Sequence, residues 1–434
     1  MSRAHPSDRS PDRASVESLK LDRLRGLLRE ILPHNAFYAT KLARVVDAAS
    51  IKSLDELAEW PFTYKDELVE DAASTGHPAN LTWEPARYVR YHQTSGTHGR
   101  PLPVLDTAAD WAWWMDCWRT ILDRGGVTSG DRMLVASSFG PYVGFWSGFD
   151  AALARGAMAI PTGGLTSLAR LELIRSLGAT VLLATPSYAL HLAEVAEDNK
   201  IDTAGLGLRL VIVAGEPGGS VRTTRGRIAA AWDVDVLDHA GATEVGPWGV
   251  GDPHGDGLDV IEEWFHPEFL SLATGSPAVP GELAELVLTT LGRTGAPVIR
   301  YRTGDIVRPT WAAAGDVAAG ACPWVRLDGG ILGRTDDMLV VRGVNVFPHA
   351  IEEIVRGFPE VVEHQLTVSR RESLDQLSLA IEDRLDDPGR VARELQVRLG
   401  LRVDVTTVPI SSLPRFEGKG RRIVDLRDRS QGEA

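Results

Sequence analysis

Between Asp131 and Gly241 short apolar runs alternate with amphipathic stretches, and this alternation constrains the fold more than any other feature of the chain. "DRMLVASS", "TVLLATP", "LRLVIVAG" and "DVDVLDHAG" have the length and the Val, Leu and Ile content of buried strands. "TSLARLELIRSLG", "SYALHLAEVAED" and "SVRTTRGRIAAAW" have helical spacing, the first with a Thr/Ser start and Gly178 as its stop. Strands that alternate with helices pair in parallel, which predicts a layered α/β sheet. Ligands of such sheets bind beyond the carboxyl ends of the strands. Three small, Gly-rich or polar segments fall there: "TPS" near Thr185, "AGEPGG" from Ala214 and "DHAGATE" from Asp238. One site is expected to form from them.

The flanking regions follow other patterns. Leu19, Leu21, Leu24, Leu27, Leu28, Ile31 and Leu32 recur at helical spacing. After Gly255, "GELAELVLTTL" and "PVIRYRTGDIV" predict β structure. From "GRTDDMLVVRGVNVFP" onward the chain forms a small β-α-β unit, with a boundary at Gly333–Asp337. A chain of 434 residues exceeds the roughly 250–300 at which single cores stop growing, so two or more domains are expected.

Composition excludes several classes. The net charge of −13 disfavours broad binding to nucleic acid or anionic membranes, which need basic surface. Two cysteines without a CxxC pair suggest neither a zinc cluster nor a disulfide framework, and a reduced compartment fits. The start, "MSRAHPSDRSPDRAS", lacks the apolar run of a signal peptide, and residues 1–18 are expected to be a disordered tail. No run approaches the roughly 18 apolar residues of a membrane helix. A soluble, cytoplasmic protein is the expectation.

Five motifs carry candidate chemistry. "TSGTHGRP" sets hydroxyls of Thr94, Ser95 and Thr97 beside Gly96, Gly99 and Arg100. Hydroxyls, approachable backbone N–H groups and a permanent cation suit phosphate, although the loop is not a Walker A. Glu244 with Thr243 in "GATE" suits Mg²⁺ on a nucleotide, since that ion takes few carboxylates plus phosphate oxygens. Asp305, after a tight Thr-Gly turn in "YRTGDIV", suits a ribose diol. "GRTDDMLVVRG" gathers Arg334, Asp336, Asp337 and Arg342 around Gly343. "RFEGKGRR" puts Lys419 between two glycines, where it could act as a mobile point charge. Taken singly, each is equally a solvated turn, a helix cap or a basic tail.

In sequence order, however, TSGTxG(R/K)P, GATE, YRTGD, GRxDD…RG and GK resemble the adenylate-forming superfamily of acyl-CoA synthetases, adenylation domains and luciferase. "GRTDDMLVVRGVNVFPHAIEE" and "LPRFEGKGRRIVDL" are most similar to its phenylacetate-CoA ligase family. The resemblance runs from about Leu21 to Leu426. It implies a large N-terminal AMP-binding domain (1–333) with layered α/β sheets and a β subdomain. A hinge (334–337) and a small mobile C-terminal α+β lid domain (338–434) would follow.

The resemblance also implies roles. The "TSGTHGRP" loop would hold the β- and γ-phosphates of ATP, Glu244 the Mg²⁺, Thr243 the α-phosphate and Asp305 the ribose. Ala214, Gly215, Glu216 and Pro217 would flank the adenine, as would His239, Ala240 and Gly241, and Arg334 would approach the nucleotide. Lys419 would bridge the substrate carboxylate and the α-phosphate. Asp336 matches the hinge, about which the lid would turn to bring Arg342 and Gly343 to the pantetheine arm of coenzyme A. Departures from the family pattern are His98 and Arg100 in the loop, and Ala240 where an aromatic is usual.

Phe139, Tyr142, Phe145 and Trp146 offer flat apolar walls, with Gly215 and Ala240 completing an acyl pocket. The expected reaction joins a small aromatic carboxylic acid to coenzyme A. A carrier-protein phosphopantetheine or an amine is an alternative acceptor, and an ATP-dependent nitrite-activating diazotase of the same fold is another reading. A non-catalytic nucleotide-binding protein is disfavoured because Glu244, Asp305, Arg334 and Lys419 are all present. The resemblance suggests a homodimer.

Overall fold

The computed structural model describes residues 12–44, 51–94, 101–253, 255–319, 321–336, 339–341, 344–346, 348–371, 374–400, 402–414 and 422–427. The four predicted strands form as Arg132–Val135, Val181–Ala184, Leu210–Ala214 and Asp235–Ala242, and a fifth that was not predicted from the sequence, Met158–Pro161, joins them in parallel. Their side chains alternate between two buried clusters. Met133, Val135, Leu183 and Ile212 face one; Leu134, Leu182, Val211 and Val213 face the other. Burial on both faces explains why the three middle strands, Arg132–Val135, Val181–Ala184 and Leu210–Ala214, are apolar at nearly every position.

Helices Ala108–Arg124 and Val143–Arg155 contribute to the first cluster. Helices Ser167–Leu177, Pro186–Asp198 and Arg222–Trp232 contribute to the second. Their ends match their sequences. Thr166 and Thr185 accept the backbone N–H of Ala169 and Tyr188, and Gly178 closes its helix in the left-handed region at φ 57°.

Strand order positions the site. Arg132–Val135 lies between Met158–Pro161 and Val181–Ala184, so the chain crosses back over its first strand. That switch point opens a crevice beyond the strand ends. After Asp235–Ala242 the same nine-stranded sheet continues antiparallel through Gly246–Gly251, Leu258–Val260, Arg326–Leu327 and Pro309–Thr310.

A four-stranded antiparallel sheet, Phe265–Ser271, Ala284–Thr290, Tyr301–Val307 and Gly333–Arg334, forms the predicted β region. A separate hairpin pairs Tyr88–Gln93 with Pro103–Thr107. The C-terminal unit orders its strands Asp404–Thr407, Leu374–Asp383, Val361–Arg371, Ile423–Asp425, with helices Pro348–Arg356 and Pro388–Leu399. It has its own buried cluster, from Leu339 to Val403. No helix among the described residues is long and apolar enough to cross a membrane.

The N-terminus corrects one expectation. Helix Arg13–Ile31 begins inside the stretch assigned to a disordered tail. Asp12 caps it through Ser15 N at 2.8 Å, and about two turns inward Lys20 is anchored in the protein interior. Lys20 Nζ lies 2.5 Å from Glu262 Oε2, and Arg13 meets the other oxygen of that carboxylate. Glu262 is fully buried and also accepts Val325 N–H at 2.6 Å. These long-range contacts order a segment that its local composition leaves undecided. Glu262→Gln removes the buried counter-charge of Lys20 and Arg13, leaving them only the part-exposed Glu17, and is expected to cost roughly 3 kcal/mol. A lower urea midpoint, followed by tryptophan fluorescence, is the measurement.

Candidate active site

The predicted strand-end segments meet as expected. Gly215 adopts φ 94° and abuts Thr185, whose methyl would lie 3.6 Å from a Cβ there. Glu216 does not turn its carboxylate toward this opening. Oε1 accepts Ser187 N–H at 2.7 Å and the Ser187 hydroxyl, and Oε2 lies 3.8 Å from Arg422 of the C-terminal unit. Arg422 also grips Glu363 through Nε at 2.7 Å and NH2 at 3.1 Å.

His239 is buried against Trp118, with ring centroids 4.6 Å apart. Its Nδ1 lies 2.9 Å from the Gly249 carbonyl, which can only accept, so Nδ1 carries the proton. Burial lowers its pKa to about 4, leaving the ring neutral near pH 7. Next to it, burial pushes the Asp238 carboxyl up to about 6, although the Ser220 hydroxyl and His239 N–H both donate to it. Ala240 is buried where strand Asp235–Ala242 pairs with Gly249, and Gly241 is exposed beside it.

Glu244 stands in the turn that follows, with Thr243 half-buried beside it. Tyr301 Oη donates to Glu244 Oε1 at 2.8 Å, and Lys65 Nζ lies 3.7 Å from the same oxygen. The main-chain carbonyl of Glu244 accepts Arg293 NH1 at 2.8 Å. Burial first, and then the adjacent Glu244, raises the Tyr301 pKa well above its usual value, so the phenol stays a donor. A single well-held carboxylate fits Mg²⁺ completed by phosphate oxygens and water. No group of three or more His, Cys, Asp or Glu gathers as a metal cage among the described residues.

Asp305 lies on the same strand as Tyr301, which differs from the expected turn. The Thr-Gly pair forms a bulge within the strand, with Gly304 at φ 75°. A Cβ at Gly304 would come 3.0 Å from Arg334 NH2. Arg334 pairs with Asp305 across the sheet, and its NH1 lies 3.2 Å from Asp305 Oδ1. Its Nε and NH2 reach Asp336 at 2.8 and 3.0 Å. The predicted ribose, nucleotide and hinge residues are therefore contiguous.

Phe139 and Trp146 meet edge-to-face at 4.7 Å, and Phe149 joins them at 5.5 Å from Phe139. Phe145 is half-buried on the same helix, but Tyr142 is 50% exposed and makes no ring contact with them among the described residues. Thr94 is buried and closes its hairpin by accepting Leu102 N–H at 3.0 Å. Ser95, Gly96, Thr97, Gly99, Arg100, Arg342, Gly343 and Lys419 lie outside the described residues. A separate cavity of about 740 Å³, lined by Arg124, Asp259, Trp311, Cys322 and Arg326, contains none of the predicted site residues.

Sequence reasoning missed Tyr301, Lys65, Arg293 and Phe149. Tyr301 sits in the quoted "YRTGD", four residues before Asp305 on the same strand. Lys65 and Arg293 carry no local signal. Tyr301→Phe deletes one hydrogen bond to the Glu244 carboxylate while keeping the ring. It is expected to raise the KM for Mg·ATP several-fold, roughly the value of one charge-assisted bond, with unchanged folding by circular dichroism.

Comparison with known proteins follows the same outline. Residues 23–263 match the AMP-binding enzyme family model, and residues 343–427 match the AMP-binding enzyme C-terminal domain. The chain is 32% identical to the phenylacetate-coenzyme A ligase of Escherichia coli (strain K12), over 95% of each chain. It is 31% identical to that of Thermus thermophilus, over 96% of this chain and 97% of the relative. A solved 2-hydroxyisobutyryl-CoA ligase in its postadenylation state, with R3-HIB-AMP, superposes with a TM-score of 0.89 at 26% identity, covering 99% of this chain and 95% of that one. The same enzyme in its thioesterification state, with 2-HIB-AMP and CoA, superposes at 0.71 and 27% identity, covering 99% and 96%.

Proposed function

We propose that this chain, a member of the AMP-binding enzyme family and within it of the phenylacetate-CoA ligase family, activates an aromatic carboxylic acid. It is an ATP-dependent, AMP-forming acid–thiol ligase that uses ATP, Mg²⁺ and coenzyme A. A substrate carboxylate oxygen bonds to the α-phosphorus while the bond to the β-bridging oxygen breaks and pyrophosphate leaves. The thiol sulfur then bonds to the acyl carbon, the acyl–oxygen bond breaks, and AMP leaves.

The aromatic reading is carried by the Phe139, Trp146 and Phe149 rings, packed edge-to-face where the first parallel strand ends at the switch point. A flat, weakly polar wall there favours an aryl ring by area and quadrupole. Likeness to phenylacetate-coenzyme A ligases over nearly the whole chain supports it. A second reading, a hydroxyalkyl acid, is favoured by the close superposition on a 2-hydroxyisobutyryl-CoA ligase.

The site roles follow from the chemistry. The nucleophile is the substrate's own carboxylate, so the enzyme needs groups that stabilise charge developing on phosphate oxygens. Glu244, steadied by Tyr301, would hold Mg²⁺, which supplies charge neutralisation at the phosphates. Asp305 would accept the ribose hydroxyls while Arg334 holds its carboxylate in place. Thr94 would anchor the phosphate loop, and Lys419 would bring its cation to the α-phosphate. His239, neutral and packed on Trp118, would shape the pocket without adding charge.

Pyrophosphate release from Mg·ATP, over a panel of aryl and hydroxyalkyl acids with and without coenzyme A, tests the proposal. Aryl acids are expected to drive release, with an aryl-CoA product by mass spectrometry. Release only with hydroxyalkyl acids would overturn the aromatic assignment, and release without any thioester would redirect the acceptor. Lys419→Ala is expected to slow adenylation at least a hundredfold while sparing thioester formation from supplied acyl-adenylate. Equal loss in both half-reactions would contradict its role.

A further inference from the structure

Asp106 and Arg293 form an ion pair in which both side chains are fully buried, and the reaction described above assigns neither of them a role. Arg293 Nε lies 2.9 Å and NH2 2.7 Å from Asp106 Oδ1. Its third nitrogen, NH1, donates to the main-chain carbonyl of Glu244 at 2.8 Å. Asp106 belongs to strand Pro103–Thr107, the second arm of the hairpin whose connecting segment carries the phosphate-loop motif. One guanidinium thus ties the hairpin, at its end away from that loop where Asp106 pairs with Arg90, to the backbone of the candidate Mg²⁺ carboxylate.

The loop that carries Arg293 is itself pinned. Gly295 N–H donates to Asp110 Oδ1 at 2.9 Å, and the Gly295 carbonyl accepts Tyr88 Oη at 2.6 Å. A Cβ at Gly295 would come 2.1 Å from the other Asp110 oxygen. The Thr294 carbonyl accepts the Thr82 hydroxyl at 2.6 Å. On the far side, Leu291 and Ile299 are buried among the N-terminal helices. The guanidinium is therefore held from behind, and its planar fork can span two acceptors that a lysine ammonium would serve only one at a time.

We infer that Arg293 is a positioning residue for Mg·ATP, fixing the Glu244 backbone relative to the Tyr88–Gln93/Pro103–Thr107 hairpin. The inference rests on the assignment of Glu244 to Mg·ATP. A buried ion pair gives little net stability against an apolar substitute, so a spacing role accounts for a buried charge pair at this place.

Arg293→Lys keeps the charge on Asp106 and loses the second arm. Its KM for Mg·ATP is expected to rise about tenfold, and the Mg²⁺ concentration for half-maximal rate is expected to rise with it. The KM for the acid should stay within about twofold of wild type. Asp106→Asn, nearly isosteric, should shift the same two parameters in the same direction. Unchanged nucleotide parameters in folded variants would overturn the inference, as would equal losses toward ATP and acid. Failure of both variants to fold would assign the pair to the scaffold and overturn it as well. Glu244→Gln run alongside separates the two levels. If it leaves the Mg·ATP parameters untouched, the site assignment fails; if it impairs them while Arg293→Lys does not, only the inference fails.

Discussion

Burial of the central parallel strands on both faces is the constraint from which the rest of the structure follows. Once Leu134, Leu182, Val211 and their alternating neighbours are covered by helices, the sheet has no open face for a ligand. Chemistry is confined to the carboxyl ends, and the crossing back over strand Arg132–Val135 opens one crevice there. Small residues at Thr185, Gly215 and Gly241 keep that end open. The antiparallel sheet brings Tyr301 and Asp305 to the same place from a different part of the chain.

Charges around the site are mostly committed to one another. Arg334 spans Asp305 and Asp336, Tyr301 and Lys65 attend Glu244, and Arg293 is locked against Asp106. Polar groups held this way need little reorganisation when charge develops nearby, which is the physical basis of electrostatic catalysis. His239 adds to this by being neutral, since a second full charge beside buried Asp238 would change the field of the pocket floor.

Much of this was legible in the sequence, for identifiable reasons. The parallel strands and their helices follow from local periodicity and from caps such as Thr166, Thr185 and Gly178. The strand-end segments were legible because such sheets concentrate small and polar residues there. What escaped depends on contacts distant in sequence. Glu216 looks like an adenine-side residue in "AGEP", yet its carboxylate is claimed by Ser187 and faces Arg422. Asp305 looked like a turn residue, because a bulge and a turn share the Thr-Gly signature. The N-terminal helix looked disordered up to residue 18, because Lys20 and Arg13 find their partner at Glu262.

The meeting of Glu216 with Arg422 bears on how the two units would part if the C-terminal unit turns as the proposed lid. Each group is satisfied at home before it touches the other: Glu216 by the backbone and hydroxyl of Ser187, Arg422 by the two oxygens of Glu363. Separating them strands no bare ion in a dry interior, so the desolvation penalty that normally makes buried charge pairs hard to break does not arise. Such a junction behaves like a magnetic catch rather than a bolt. Were the C-terminal unit to turn as the proposed lid, the contact would release with each charge still partnered.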